Sequence, residues 1–328
     1  MQIAFSPSIP FLSSAELVAL SVEAERLGYR SAWLAEVAGP EAFALAGAIA
    51  SRTERMDLGV AVVPAATRSP ALLAMGAATV SGLLGGRRFD LGIGASSQVV
   101  VEAWHDRDFA PPLKRVDEAI RATAGLLDGE RSFSGTTVEI DHFRLGTSPA
   151  GPVGLYVGAL GPRMLRLAGA VGDGVCLNLM TSAAVTGQLE EVAVGAAAVG
   201  RELPEDFGVV ARFHVVVTDD LEVGRQVIRG AFGAYFAQPV YNRFLASMGY
   251  EDEAKAISVA FAAGDREGVA RALHDEIVDG VTLVGPPGRI RERLAEFAEA
   301  GITTAALNLL IPDPTEALSA LEALAPNA

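Results

Sequence analysis

The chain has 328 residues, 50% of them hydrophobic and 20% charged, enough apolar surface for a large buried core, which excludes wholesale disorder. Its formal net charge of −14 and the lack of any basic run leave a phosphate-tracking surface without an electrostatic source, so no nucleic acid is expected as a partner. The one cysteine, Cys176, excludes an internal disulfide and a thiolate metal cluster, and fits a reducing cytoplasm.

The chain opens on a strand-like "MQIAFSP" rather than on a basic region followed by a long apolar segment. Stretches such as "FALAGAIA" fall far short of the roughly 20 residues a membrane helix needs. No secretion signal and no membrane contact are expected. The length could hold two average domains, but barrels of alternating strands and helices often use it for one.

Short β-type runs alternate with helical patterns from the start. "QIAF" precedes a helix in which Leu17, Leu20, Ala24 and Leu27 recur at three and four residues, ended by Gly28. "SAWLAE", an Ala-rich helix over 41–51, "DLGVAVV", a helix near 70–84, "RFDLGIG" and a helix over about 112–128 continue the alternation. Residues 131–150 interrupt it with "RSFSGTTVEIDHFRL", which reads as a hairpin turning at "SGTT", an excursion on one face. "VGLYV", "GDGVCLNL", a long Ala/Val/Gly helix and "FGVVARFHVVV" restore the beat. Strand signals then vanish over about 219–278, which reads as a helical insertion. "VTLVG", a helix over 287–300, "TTAALNLLI" and a helix over 314–324 close the chain.

Main strands near residues 3, 33, 60, 91, 155, 176, 212 and 306 number eight. That count favours a parallel (β/α)8 TIM barrel, of the α/β class, over a doubly wound sheet, with residues 1–328 as a single domain. Active sites of such barrels lie at the C-terminal strand ends, which selects the residues to inspect.

In "LYVGALGPRMLRLAG", residues 155–169, Pro162 stands at the first helical position after Gly161, leaving N–H groups free at a positive helix end beside Arg163. The turn either binds an anion or simply closes a strand–helix junction. Glu36 ends the second strand, where a carboxylate can bind a ligand hydroxyl, transfer a proton or sit in solvent. "LGIGASSQVVVEAWHD" follows the fourth strand with a flexible hydroxyl-rich turn, then Glu102, Trp104 and His105. Trp104 can stack on a ring or anchor the core; His105 can transfer a proton or lie on the surface. His142, His214 and His274 are scattered without metal-ligand spacing, so no metal is expected. Ser96 and Ser97 lack a Gly-x-Ser-x-Gly elbow, which disfavours hydrolase chemistry.

Together, "AERLGYRSAWLAE", "LGVAVVPAATRSP", "GGRRFDLGIGASS" and "LYVGALGPRMLRLAGAVGDGV" resemble, in order and spacing, the luciferase-like monooxygenase superfamily. The likeness returns at "GPPGRIRERLAEFAEAGITTAALN". It is nearest to the branch that uses coenzyme F-420, an 8-hydroxy-5-deazaflavin that carries hydride; other branches use FMN and oxygen. The resemblance implies that Gly158, Ala159, Leu160, Gly161 and Arg163 hold the cofactor phosphate. It places Glu36 beside the cofactor, Ala61 and Val62 at a bulge behind the ring with a cis peptide between them, and Ser96, Ser97 and Gln98 in the flanking loop. The sugar-phosphate dehydrogenase branch has a histidine after the acidic residue and a glutamate after "GIG". Here Val37 and the Ser96–Ser97 pair stand instead, so glucose-6-phosphate oxidation is not implied.

The expected function is hydride exchange between coenzyme F-420 and a small organic substrate, with Glu36 or His105 assisting proton transfer. An FMN-dependent monooxygenase served by a reductase partner, and a noncatalytic flavin-binding barrel, are the alternatives. The resemblance also implies a homodimer.

Overall fold

The strands are short apolar runs buried on both sides, because helices cover their outer face and the other strands enclose their inner one. In the computed structural model, residues 1–109 and 111–326 are described. The expected span 1–328 also takes in Ala110, Asn327 and Ala328, which lie outside the described residues. Strands β1 (Gln2–Phe5), β2 (Ser31–Leu34), β3 (Asp57–Pro64) and β4 (Phe89–Gly94) alternate with helices α1 (Ser14–Arg26), α2 (Ala42–Ala50) and α3 (Pro70–Leu84). Helix α4 (Pro112–Leu127) leads to a small antiparallel hairpin, β5 (Phe133–Ser134) with β6 (Glu139–Ile140). Then follow β7 (Val153–Gly158), α5 (Pro162–Val171), β8 (Gly174–Asn178), α6 (Ser182–Ala198) and β9 (Gly208–Val217).

Five helices come next, α7 (Leu221–Phe236), α8 (Pro239–Ser247), α9 (Glu251–Ala262), α10 (Arg266–Ala272) and α11 (Asp275–Val281). Strand β10 (Leu283–Gly285), α12 (Pro287–Glu299), β11 (Thr304–Leu309) and α13 (Pro314–Ala323) complete the chain.

All main-sheet pairings are parallel, and the sheet closes through β9. That strand sets Asn178 of β8 against Arg212, and Leu307 of β11 against Phe213. Strand β10 pairs only with the end of β9, Val215–Val217, so eight of the nine strands form the barrel and β10 lies at its rim. The expected TIM barrel is therefore present, and "VTLVG" stands outside the eight.

Local sequence signals set the helix ends. Ser13 and Glu16 form a capping box on α1, Ser69 caps α3 ahead of Pro70, and Gly85 ends α3 at φ 62°. The main core lies between barrel and helices, with Phe5, Leu58, Leu91, Phe213 and Phe297 buried in it. A second apolar cluster, including Ile228, Phe236, Leu245 and Ile277, holds α7–α11 together. The hydroxyl-rich stretch after β4 differs from a simple flexible turn: Val99–Trp104 forms a π-helical turn, since Val100 and Val101 are buried and draw the backbone down onto the barrel.

The β5–β6 hairpin is held by one buried carboxylate. Glu118 of α4 accepts hydrogen bonds from the amides of Thr136 (2.7 Å), Thr137 (2.6 Å) and Val138 (3.0 Å) and from the Thr137 hydroxyl (2.6 Å). Burial alone would raise its pKa, but these donors, with Lys114, outweigh that and hold it at about 2. A depressed carboxyl pKa adds stability above the unfolded value near 4.5, lost as pH falls toward 2. Glu118→Gln should therefore cost about 2 kcal/mol at pH 7 in urea unfolding. The gap to the native chain should narrow as pH is lowered through that window.

A candidate active site at the barrel mouth

Inside an eight-stranded barrel there is room for few bulky side chains, and here glycines make space for several of them. Trp33 of β2 and Tyr156 of β7 meet edge to face with ring centroids 5.3 Å apart. A Cβ on Gly59 would strike the Trp33 ring, and one on Gly174 or Gly208 would strike Tyr156. One layer nearer the mouth, the side chain of Val62 fills the space left by three glycines. A Cβ on Gly94 would lie 2.6 Å from Val62, one on Gly158 2.9 Å, and one on Gly92 3.0 Å.

That fit requires β3 to leave regular pairing. Its register with β4 shifts between Val60 and Val63, and the Ala61–Val62 peptide is cis, at the position the resemblance implied. The glycines of "LGIGA" and "YVGAL" thus make the space into which β3 bulges.

Above this floor is a cavity of about 370 Å³. Its wall combines the ends of β2, β3, β4, β7, β8 and β9 with Ala234 and Tyr235 of α7 and Val240 and Tyr241 of α8, so the helices after β9 roof the mouth. Glu36, Ala61, Val62, Ser96, Ser97, Gly158, Ala159, Leu160 and Gly161 all line it. Gln98, His105 and Arg163 do not; all three are exposed. Trp104 lines the cavity while 55% exposed, so it is no core anchor.

Glu36 is already engaged. Arg68 donates to both its oxygens, at 2.5 and 2.7 Å, and the amide of Ala42 donates to one of them at 2.9 Å. Arg68 also binds Glu41 and lies over the Phe43 ring, 5.6 Å from its centroid. Burial lowers the Arg68 pKa, and the two carboxylates more than offset that, raising it above its ordinary value. The carboxylate expected to transfer a proton therefore fixes the start of α2 against the loop after β3.

The turn after β7 leaves the start of α5 without a side-chain cap. Gly161 is extended (φ −98°, ψ 163°), α5 begins at Pro162, and a Cβ on Gly161 would meet nothing within 4 Å. The amides of Met164 and Leu165 turn back to the Gly161 carbonyl, at 3.0 and 3.1 Å, and the exposed Arg163 is the second residue of the helix, at its positive end.

Several residues of the site escaped sequence reasoning: Arg68, which binds Glu36 from outside the cavity lining, and the wall residues Asn178, Arg212, Tyr235 and Tyr241. Arg212 had a usable signal, being a lone cation inside the apolar strand "FGVVARFHVVV". The tyrosines had none, because only the packing of α7 and α8 brings them over the barrel.

A parallel eight-stranded barrel with a pocket at the C-terminal strand ends defines the class of α/β-barrel proteins that bind small molecules at that face. Within it, residues 7–304 match the family model described as luciferase-like monooxygenase, and the chain belongs to that family. It is 31% identical to a Mycobacterium tuberculosis protein whose name assigns it provisionally to the coenzyme F-420-dependent oxidoreductases, with 92% of each chain covered. It is 30% identical to the 5,10-methylenetetrahydromethanopterin reductase of Archaeoglobus fulgidus, over 85% of each. The solved coenzyme F-420-dependent tetrahydromethanopterin reductase of Methanopyrus kandleri shares the fold, with a TM-score of 0.83 at 19% identity, covering 99% of this chain and 97% of that one.

The seat of Val62 can be tested by a mutant cycle. Gly94→Ala should cost about 1–3 kcal/mol by overpacking. Val62→Ala in the same chain should recover most of that loss in thermal unfolding, whereas additive losses would show that the two residues do not share the space.

Proposed function

We propose that this chain is a coenzyme F-420-dependent oxidoreductase acting on a small organic molecule. The observation that carries the reading is the mouth itself: a glycine-seated Val62 floor beside an uncapped glycine turn, in a chain with relatives named for coenzyme F-420. The residues fit the group: the floor offers apolar contact to a ring, and the uncapped start of α5, which carries Arg163, offers a positive helix end to a phosphate.

When bound, the deazaflavin supplies two-electron hydride transfer. Gly158, Ala159, Leu160, Gly161 and Arg163 hold its phosphate. Ala61 and Val62 brace the ring from beneath, while Ser96, Ser97 and Gln98 border it. Glu36, locked by Arg68, keeps the rim of β2 in place and so orients what lies beside it. Trp104, Tyr235 and Tyr241 shield the mouth from water. The active form is a homodimer, in keeping with Leu72, Met75 and Leu83, which expose apolar surface along α3.

Titration followed by the coenzyme's own fluorescence should give tighter binding of coenzyme F-420 than of FMN. Tighter FMN binding, with oxygen uptake in the presence of reduced FMN, would replace this reading by an oxygenase. Arg163→Ala should weaken coenzyme binding about 10- to 100-fold through the lost charge-assisted hydrogen bonds, with an unchanged circular dichroism spectrum.

A further inference from the structure

Among the described residues, the mouth holds a cation with no counter-ion. Arg212 projects from β9 into the cavity wall, and its buried Nε has no hydrogen-bond partner among the described residues. The acidic side chain of the wall, Glu36, is occupied by Arg68. Around Arg212 the groups are neutral. Asn178, its register neighbour on β8, has an unpartnered Oδ1 and lies beside Tyr241 in the cavity wall. Burial, and then the Arg212 charge, hold His214 well below its ordinary pKa, so its ring is uncharged at neutral pH. Burial pushes the Tyr241 phenol up to about 12, which keeps it a hydroxyl donor at neutral pH.

Arg212 is half-buried, with its Nε enclosed and unbonded, and a ligand carboxylate that reached the guanidinium would relieve the cost of that unpaired charge. Arg212 also has a definite position. Strand β9 is four strands from β3 round the eight-stranded barrel, so it enters the mouth from the wall facing the Val62 floor. If the coenzyme ring lies on that floor, as proposed above, Arg212 faces the open side of the ring.

We infer that Arg212, with the Tyr241 hydroxyl, is a receptor for one carboxylate of the substrate, and that the enzyme acts on small organic monoacids. The planar guanidinium matches a carboxylate with two parallel hydrogen bonds. A dianionic phosphate would leave a negative charge uncompensated, because the wall offers a single unneutralised cation among the described residues. The apolar remainder of the wall, with Tyr235, Val240 and Trp104, takes the hydrocarbon part.

The test uses the full chain and a matched probe pair, phenylacetate and its neutral amide phenylacetamide. Binding is read from tryptophan fluorescence, since Trp104 lines the cavity. Without coenzyme, the native chain should prefer the carboxylate by about tenfold or more, and Arg212→Met should bring the two probes within about twofold. Arg212→Lys should restore part of the preference. Tyr241→Phe should reduce it and guards against a folding defect in the arginine variants. Coenzyme F-420 affinity, measured separately, should change less than about threefold in Arg212→Met.

Equal binding of both probes by the native chain would overturn the inference, and so would a preference that survives Arg212→Met. A loss of coenzyme affinity of tenfold or more in Arg212→Met, with the probe preference intact, would assign the cation to the coenzyme and overturn it as well. Failure of the native chain to bind coenzyme F-420 would sink the proposed function alone, because the probe measurements need no coenzyme.

Discussion

The space inside the barrel is the constraint on which the other features depend. Eight strands enclose a volume that a few side chains fill, and close packing forbids both a void and an excess methyl group. Trp33 and Tyr156 occupy the lower part, and the strands facing them carry glycine at positions 59, 174 and 208. Because glycine recurs at 92, 94 and 158, the next layer has room for Val62 from one side. The packed floor, the irregular β3 and the shape of the cavity above follow from that division of volume.

Electrostatics add a second organisation on the same scaffold. The chain as a whole is strongly acidic, yet the mouth is not. Arg68 draws Glu36 and Glu41 into one ion-paired rim, leaving Arg212 as the unneutralised charge among the described wall residues. An acidic exterior with a cationic recess concentrates the favourable potential for an anion at the cavity, where low polarity strengthens it.

Much of the barrel was legible in the sequence, because short apolar runs alternate with period-three-to-four patterns and Gly and Pro mark the junctions. The eight strands, the hairpin stretch and the helical run after β9 could all be placed in this way. The floor residues Ala61 and Val62 and the turn at Gly158–Gly161 came from the family resemblance, and spacing alone left that turn ambiguous. What local reading missed depends on contacts across long separations. The partner of Glu36 is 32 residues away, and Tyr235 and Tyr241 reach the mouth only through the packing of α7 and α8. His105 looked chemically apt in sequence, but the turn from Val99 to Trp104 leaves it in solvent, outside the cavity wall.

The roof of the mouth is built from helices with an apolar cluster of their own, centred on Phe236, Leu245 and Ile277, apart from the residues that fill the barrel. Changes at Tyr235, Val240 or Tyr241 alter the cavity without disturbing the glycine-seated floor. On the proposed reading, the fit to the hydrocarbon part of the reacting molecule and the seat of the coenzyme are set in different stretches of the chain. A lineage can retune one by drift in α7 and α8 while the other is conserved, which makes this segment the natural target for directed evolution toward new substrates.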